Sequence, residues 1–417
     1  MPPSDPNTAV AGDQLTPKPP LSRAEFIALM AMMTAIVAFS IDSMLPSLPD
    51  IARDLTPDEP NRAQLIITTF VLGLGLGTLF AGPISDAVGR KPVVLAGALL
   101  FCIGSVLAYV APTLETVIAG RVLQGLGAAG PRVVTLAIVR DQYAGRGMAK
   151  IMSFVMLVFA LVPAIAPAIG AGIIWVTGWR GIFAAFVVFA IILSLWMGLR
   201  QPETHPPAAR RPLRPGVLAS SLREVLANRN VSLAIGVQAL CYGMLFGVLA
   251  STQQIFDITF DRAGSFPLWF GLVALIASTA SLLNAKLVEK LGMHFIIRWT
   301  LAAQILLSGL CAIVWLAGLL DGGLLFAMFI IWKTSVFFQA GLTIGNVNAI
   351  AMSPMGHIAG VASSVIGSVA TIAGAVIAIP LGLAFDGTAV PLMLGVCVLA
   401  VLARGLMVAL PRTSDAE

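Results

Sequence analysis

The residue with the clearest chemical potential in this sequence is Asp42, an acid inside a long apolar segment. The other acidic residues fall in loops, at segment ends or in the tails. A carboxylate at membrane depth is costly and is seldom kept without a task. A carboxyl group in a nonpolar setting can also take up and release a proton. Asp42 is therefore the first candidate for coupling to protons or other ions.

Apolar segments of about 20 residues recur along the whole chain, as bilayer-spanning helices require. Hydrophobic residues make up 58% of the sequence, charged residues 11%, and the mean hydropathy is +0.94. A membrane β-barrel would instead show alternating strands of about ten residues. We predict an all-α polytopic membrane protein with twelve transmembrane helices, at about 25–48, 63–83, 93–111, 116–138, 151–175, 181–199, 231–254, 267–286, 294–318, 322–346, 359–383 and 390–410.

A polar stretch at 200–230, rich in proline and arginine, divides these spans into two groups of six. The loop at 82–89, after the second span, has a weaker echo at 285–292, after the eighth, with an acid and a glycine offset by 203 residues. The duplication indicates two pseudo-symmetric six-helix bundles. We predict bundles at 25–199 and 231–411, a cytoplasmic linker at 200–230, and cytoplasmic tails at 1–24 and 412–417, with no signal peptide in the first tail.

The distribution of basic residues predicts the orientation in the membrane. The side that holds both termini carries seventeen Lys and Arg residues, the opposite side four, and four lie within spans. By the positive-inside rule, both termini are expected in the cytoplasm. This rule also accounts for the net charge of +5, so we expect no nucleic-acid partner and take the lipid bilayer as the surroundings of the chain.

Several motifs resemble signatures of the major facilitator superfamily. They are the loop at 82–92 (GPISDAVGRKP), the start of span four at 121–128 (RVLQGLGA) and the Pro/Gly-rich stretch of span five at 163–170 (PAIAPAIG). The segments at 40–49 (SIDSMLPSLP), 153–158 (SFVMLV) and 357–364 (HIAGVASS) resemble the bicyclomycin-resistance (Bcr/CflA) type of drug-efflux transporter.

The resemblance implies the major facilitator fold and a function. We expect a proton-coupled antiporter that exports small drug-like molecules across a bacterial inner membrane by alternating access. Its partners would be protons and a small-molecule substrate, and the resemblance implies a monomer without a cofactor. The basic residues Arg132 and Lys333 depart from the pattern, since small or neutral residues are expected at both positions.

Proton coupling is assigned to Asp42 and Arg121. Arg121 lies about five residues into predicted span four, at a depth similar to that of Asp42. One interpretation is a fixed structural ion pair. The one we favour is that Asp42 is alternately protonated and ionised, with Arg121 tuning that equilibrium. Phe39 lies on the same helical face as Asp42; it would contact an apolar ligand or pack against a neighbouring helix.

Two further basic residues, Arg132 and Lys333, suggest a second kind of substrate. Arg121 and Arg132 are three helical turns apart and share a face with Gln124. Lys333 in span ten, shifted by the repeat offset of 203, falls at Gly130 beside Arg132. Each half is thus expected to present a cation near mid-membrane. The alternative function is therefore transport of an organic anion or other polar metabolite, bound by Arg132 and Lys333. The other interpretation of these two residues is that they are structural and donate hydrogen bonds to helix carbonyls.

The predicted substrate cavity and gate follow from these considerations. Gln339 and Asn346 could line a substrate cavity or form interhelical hydrogen bonds. The cavity residues are Phe39, Gln124, Arg132, Lys333, Gln339 and Asn346. By analogy with the resembled family, a charge relay closes the cytoplasmic side; the alternative is a loop that only orients the chain in the membrane. By the same analogy, the Pro/Gly-rich helix bends during transport; the alternative is ordinary close packing. The gating residues are Gly82, Asp86, Gly89, Arg90, Lys91, Arg140, Asp141, Pro163, Pro167 and Gly170.

A membrane-embedded enzyme is a remote alternative. The three histidines, His205, His294 and His357, lie in separate loops or at segment ends. No grouping of His, Asp and Glu has the spacing of metal ligands or of a catalytic cluster. We therefore predict no enzymatic activity and no metal site.

Overall fold

The structure, a computed structural model, describes residues 21–210 and 215–411. Most of the predicted N-terminal tail, the predicted C-terminal tail and positions 211–214 of the linker lie outside the described residues. The described part contains fourteen α-helices and no strand. They are α1 (Arg23–Asp42), α2 (Leu48–Leu55), α3 (Leu65–Val88), α4 (Arg90–Tyr109), α5 (Leu114–Gln142), α6 (Gly145–Thr177), α7 (Gly181–Arg200), α8 (Pro215–Ala227), α9 (Arg229–Gln254), α10 (Phe266–Leu291), α11 (Met293–Leu316), α12 (Gly322–Met352), α13 (Ala359–Leu383) and α14 (Val390–Ala409).

Twelve of these helices are long and apolar enough to cross a bilayer. Eleven continuous helical stretches in the described chain meet this condition, and one of them, Gly322–Leu383, has 62 residues. That stretch is two spans, because the turn between α12 and α13 contains Met355 with non-helical φ −107° and ψ 19°. The predicted all-α membrane protein with twelve spans is confirmed. The two helices that do not span are α2, which extends the end of α1, and α8 in the linker.

The two halves repeat the same helical plan. Gly89 ends α3 with φ +107°, and Gly292 ends α10 with φ +74°. Only glycine adopts such a conformation without strain, which is why both copies of the motif end in glycine. The predicted loops at 82–89 and 285–292 are wrong up to these glycines, because α3 continues to Val88 and α10 to Leu291. The following helices, α4 and α11, start at Arg90 and Met293, so the offset of 203 residues holds here.

The offset does not hold farther along the chain. α11 has 24 residues where α4 has 20, and the loop that follows is one residue longer in the second half. α12 therefore starts 208 residues after α5, at Gly322 against Leu114. Residues of α5 and α12 must be compared with this larger offset.

Close helix crossings within the first half require glycine. A Cβ atom at Gly125 of α5 would lie 2.0 Å from the carbonyl oxygen of Phe70 in α3, and one at Gly73 would lie 2.2 Å from that of Val122. Without a hydrophobic driving force between helices in lipid, such small residues let backbones approach and pack. The α3–α5 contact thus fixes the position of Arg121, which lies one helical turn before Gly125.

The halves meet along two seams. In the α3–α13 seam, the Ser368 hydroxyl donates to the carbonyl of Gly75, and a Cβ at Gly82 would lie 3.2 Å from Ser364 Oγ. In the α6–α10 seam, a Cβ at Gly271 would lie 2.7 Å from the carbonyl of Ala164. Toward the predicted cytoplasmic end, positions 281–283 and 285–286 of α10 are all exposed. Asn284 between them is half-buried and contacts α12, so this part of α10 is exposed on the faces that point away from α12.

Candidate functional site

The carboxyl group of Asp42 lies at the end of α1, on the side facing the second half. The Asp42 side chain is 5% exposed, and Asp42 is the only buried Asp or Glu among the described residues. The end of α1 at which it lies is called the outer end here; it is the end predicted to face away from the cytoplasm. A single acid enclosed by apolar helices agrees with the position of Asp42 within an apolar segment of the sequence.

The charged neighbour of Asp42 is Lys333 of α12. The two side chains interact electrostatically across the boundary between the halves. Lys333 is 0% exposed. In an environment of low dielectric constant, such an interaction acts over a longer distance than it does in water. An acid of the first half and a base of the second are therefore electrostatically coupled across the boundary.

The Lys333 ammonium is enclosed by phenylalanine rings. Its nitrogen lies 4.6 Å from the ring centroid of Phe270, 5.3 Å from Phe256, 5.6 Å from Phe266 and 5.9 Å from Phe337. Within the described part of the chain this nitrogen has no hydrogen-bond partner. A ring face attracts a cation within about 6 Å of its centroid. These four residues are called the phenylalanine cage below.

The guanidinium of Arg121 forms no ion pair with Asp42 among the described residues. Instead, Nε donates to the carbonyl of Ile66 (3.0 Å), Nη2 to that of Ser40 (3.1 Å) and Nη1 to Gln124 Oε1 (2.9 Å). The fixed Asp42–Arg121 ion pair considered from the sequence is therefore wrong for this conformation. Arg121 does lie at a depth close to that of Asp42, because the carbonyl it contacts belongs to Ser40, two residues away. Its N–H groups donate to helix carbonyls instead of to the Asp42 carboxylate.

Arg121 and Gln124 join four helices of the first half. Gln124 Nε2 donates to Ser105 Oγ of α4 at 2.6 Å, and the guanidinium carbon lies 4.4 Å from the Phe70 ring of α3. Both side chains are 0% exposed. In this conformation Gln124 lies inside the first bundle and not on a cavity wall. Gln124 could line a substrate cavity, as predicted, only in a different conformation of the protein.

Arg132 and Lys333 are not at equivalent depths, contrary to the expectation from the sequence. Arg132 lies eighteen residues after the start of α5, and Lys333 eleven after the start of α12. At 1.5 Å per residue, the two differ in depth by about 10 Å. The offset of 208 residues places Lys333 opposite Gly125 instead of Gly130. The longer α11 is the reason, since it shifts α12 relative to α5.

Arg132 faces the second half at another level. It is half-buried and interacts electrostatically with Tyr242 of α9, whose ring stacks on Phe246 with centroids 5.2 Å apart. Sequence reasoning missed Tyr242. The available signal was a tyrosine four residues before a phenylalanine within one span, which places both rings on one helical face.

The three remaining predicted cavity residues make helix–helix contacts. Phe39 stacks on Phe189 of α7, with centroids 5.3 Å apart. Gln339 donates to Thr343 Oγ1 (2.8 Å) and Cys241 Sγ (3.4 Å). Asn346 exchanges amide hydrogen bonds with Asn284 of α10. These geometries match the alternative interpretation of packing and interhelical hydrogen bonds; a role in binding stays a prediction.

The predicted charge relay lies at the inner end, between α3, α4 and α5. Arg90 donates to Asp86 (2.5 Å) and to Asp141 (3.2 Å), and its guanidinium is nearly buried. Arg140 lies beside this group with an exposed side chain. The relay thus connects three helices of the first half around Arg90.

The start of the linker is bound to this relay. Glu203 accepts from the backbone amides of Arg90 (2.9 Å) and Lys91 (3.0 Å), and Thr204 donates to Asp141 (2.9 Å). The Lys91 ammonium donates to the carbonyls of Gly198 and Gln201. An acid that accepts from the first amides of α4 complements the positive end of the helix dipole. Sequence reasoning treated this segment only as a linker and missed Glu203.

Hydrogen bonds between uncharged side chains close the outer end. Gln254 of α9 donates to Asn61 (2.6 Å) and accepts from Gln64, and Ser251 donates to Gln64 (2.8 Å). Asn61 also donates to the carbonyls of Leu383 and Phe385 at the end of α13. These four side chains, Asn61, Gln64, Ser251 and Gln254, are called the outer seal. A recess of about 700 Å³ lies at the outer ends of both halves, lined by Asn61, Gln254 and Phe385 among others.

The span-five motif touches the end of α1 beside Asp42. A Cβ atom at Gly170 of α6 would lie 2.1 Å from the carbonyl oxygen of Ser43. Pro163 and Pro167 lie within the same helix, one to two turns earlier. The missing side chain at Gly170 thus lets α6 pack directly against the backbone that carries Asp42.

Comparison with known proteins identifies the family. The sequence profile of the Major Facilitator Superfamily matches residues 30–378. The chain belongs to this superfamily. The Bicyclomycin resistance protein homolog of Haemophilus influenzae is 32% identical over 305 residues, which are 72% of this chain and 74% of the relative. Multidrug resistance protein MdtL of Escherichia coli is 30% identical over 259 residues, which are 62% of this chain and 65% of the relative.

A solved structure supports the same fold. The xylose transporter XylE from E. coli, in a partially occluded inward open conformation, matches with a TM-score of 0.72 at 12% identity, covering 94% of this chain and 100% of that one. At this identity the likeness shows the fold alone. The predicted resemblance to the bicyclomycin-resistance type is confirmed. Since the superfamily consists of transporters, the prediction that the chain is not an enzyme is also confirmed.

In this superfamily member, we expect Gly170→Ala to impair both folding and transport. The new methyl group would meet a backbone carbonyl at 2.1 Å, so α6 must move away from the end of α1; overpacking of this kind costs about 1–3 kcal/mol. Thermal unfolding of the purified protein measures the effect. The matched control is Gly172→Ala on the same helix, which would meet nothing within 4 Å. Equal stability of the two variants would contradict the contact.

Proposed function

We propose that the protein is a proton-coupled antiporter that exports small drug-like molecules across the bacterial inner membrane by alternating access. The observation that carries the proposal is the buried Asp42 at the boundary between the halves, opposite Lys333. The printed names of the relatives, a bicyclomycin resistance protein homolog and a multidrug resistance protein, support export of drugs. The count of seventeen basic residues against four supports cytoplasmic termini. We take the working unit to be a monomer.

Asp42 can carry the proton because its charge has to be balanced wherever it is buried. An uncompensated carboxylate in a nonpolar interior is costly, so either a proton or a nearby cation must neutralise it. In this conformation Lys333 is that cation. When the halves move apart at the outer end, Asp42 and Lys333 separate, and a proton from outside can take the place of Lys333.

The two ends of the molecule supply the alternating barriers. The outer seal holds the halves together on one side, while most positions at the inner ends of α6 and α10 are exposed. This arrangement corresponds to a carrier open toward the cytoplasm. The opposite state requires the outer seal to break and the inner relay around Arg90 to approach the second half. Pro163 and Pro167 weaken the hydrogen-bond ladder of α6 and allow it to bend during that change.

Asp42→Asn should abolish export driven by a pH gradient while leaving ligand binding measurable. Asparagine keeps the size of the side chain but cannot exchange a proton. A thermal-shift screen of drugs and organic acids at two pH values first identifies a ligand; its transport is then measured in proteoliposomes with a pH gradient. We expect at least a tenfold loss of pH-driven transport.

The control for this experiment is Glu115→Gln, an exposed carboxylate whose ion-pair partner is Arg62 near the outer end. It removes an exposed acid that makes none of the hydrogen bonds of the outer seal, so transport should stay near the wild-type rate. Undiminished pH-driven export by Asp42→Asn would exclude the coupling role.

Asp86→Asn should slow turnover without loss of expression, because Arg90 would lose one of its two carboxylate partners. We expect a several-fold reduction in the rate of exchange with little change in ligand affinity. The matched control is Glu289→Gln, the acid at the equivalent position of the second half. There the next helix begins with Met293 and His294 in place of Arg90 and Lys91. Normal turnover in Asp86→Asn would rule out the gating role of the relay.

Transport of an organic anion is a second candidate function, and Arg132 is the residue that favours it. Arg132 is half-buried at the boundary between the halves, whereas Lys333 has no exposed surface with which to meet an anion in this state. Counterflow with a labelled weak acid against a cationic dye separates the two functions. We expect exchange of the dye and none of the acid. Exchange of the acid that is lost in Arg132→Ala would instead establish the anion carrier.

A further inference from the structure

The phenylalanine cage is an unusual place for a lysine. Its ammonium is fully buried, lies within 5.9 Å of four ring centroids and has no hydrogen-bond acceptor among the described residues. Loss of water without replacement hydrogen bonds costs free energy. The ring faces and the charge of Asp42 offset that cost, because both stabilise a positive charge at this point.

We propose that the phenylalanine cage and Asp42 form a binding site for the ammonium group of an exported organic cation, and that the Lys333 side chain occupies this site when the outer end is closed. The proposal rests on the proposed export function and names a substrate class for it. The cation must displace the Lys333 ammonium in order to bind, since the cage holds a single charge.

The position of the site is suited to a transported ligand. The cage rings come from the second half: Phe256 follows α9, Phe266 and Phe270 begin α10, and Phe337 belongs to α12. The carboxylate comes from the end of α1 in the first half. A bound cation therefore contacts both halves, and its binding energy changes when the halves move relative to each other.

The chemistry of the site excludes anions and gives neutral molecules little advantage. Ring faces carry negative electrostatic potential, and the phenylalanine side chain has no donor for an anion. Asp42 adds a negative charge. A proton, the Lys333 ammonium and an organic cation can each neutralise that charge, and they compete because there is one carboxylate. This competition gives a physical reason for exchange of an exported cation for a proton.

Refilling the site with a free amine tests the proposal. Lys333→Ala removes three carbons and the nitrogen, and n-propylammonium has the same atoms. In thermal-shift titrations of the purified full-length variant, n-propylammonium should stabilise it saturably, with at least a tenfold lower Kd than the neutral n-propanol. Wild-type protein should show no such shift, and adding Asp42→Asn to Lys333→Ala should remove it. Equal effects of n-propylammonium and n-propanol would overturn the cage as a cation site.

A second measurement does not depend on Lys333→Ala folding. Binding of tetraethylammonium at alkaline pH is compared between two single variants that keep Lys333, Phe270→Leu and Phe329→Leu. Phe270 is the nearest ring of the cage; Phe329 is as deeply buried but has no contact with the lysine nitrogen within cation–π range among the described residues. We expect Phe270→Leu to raise the Kd about tenfold and Phe329→Leu to leave it unchanged.

The outcomes separate this proposal from the export function. Absence of tetraethylammonium binding, or equal effects of the two substitutions, would overturn the cation site. Export of uncharged drugs driven by a pH gradient would then still support the antiporter. Conversely, cation binding without any pH-driven transport would leave the site in place and refute the proposed function.

Discussion

The structure depends on one electrostatic constraint: a carboxylate and an ammonium are buried on opposite sides of the boundary between two bundles. Among the described residues, neither Asp42 nor Lys333 interacts with an opposite charge of its own half. Removing either group would leave the charge of the other buried without an opposite charge nearby, which is unfavourable. In the proposed mechanism, the closed outer end is favoured while the two charges face each other. In that mechanism, a proton or cation that neutralises Asp42 weakens the attraction between the halves.

The two ends of the carrier use different kinds of interaction. The outer seal consists of amide and hydroxyl groups, including Gln64 and Gln254, which carry no charge at any physiological pH. The inner relay consists of ions around Arg90. Neutral hydrogen bonds respond little to pH or salt, whereas ion pairs are screened by salt, less so where one partner is as deeply buried as Arg90. If the outer seal itself titrated, acid outside would open or close it directly. Because it does not, the proposed response to external protons is assigned to Asp42, at the boundary behind the seal.

The sequence predicted the fold well because its strongest signals are local. Apolar length alone located the spans, and Gly89 and Gly292 aligned the two halves at α3 and α10. The comparison of Lys333 with Arg132 failed because the repeat is not rigid: the longer α11 changed the offset after the aligned loop. The partner of Arg121 was also mistaken, since a sequence shows where acids lie but not which helix carbonyls are within reach. Tyr242, Glu203 and the outer seal were missed because their contacts join segments far apart in the chain.

The same limitation hid the phenylalanine cage. Phenylalanines are common in membrane spans and ordinarily indicate packing, and no spacing in the sequence relates Phe256 to Lys333. The cage exists only because α9, α10 and α12 converge at one depth. Yet Lys333 itself was a visible anomaly, a base where a neutral residue was expected. A charge that cannot face lipid must be balanced inside the protein. Such a residue therefore predicts the kind of group around it, a carboxylate or ring faces, even when the identity of those groups has to come from the structure.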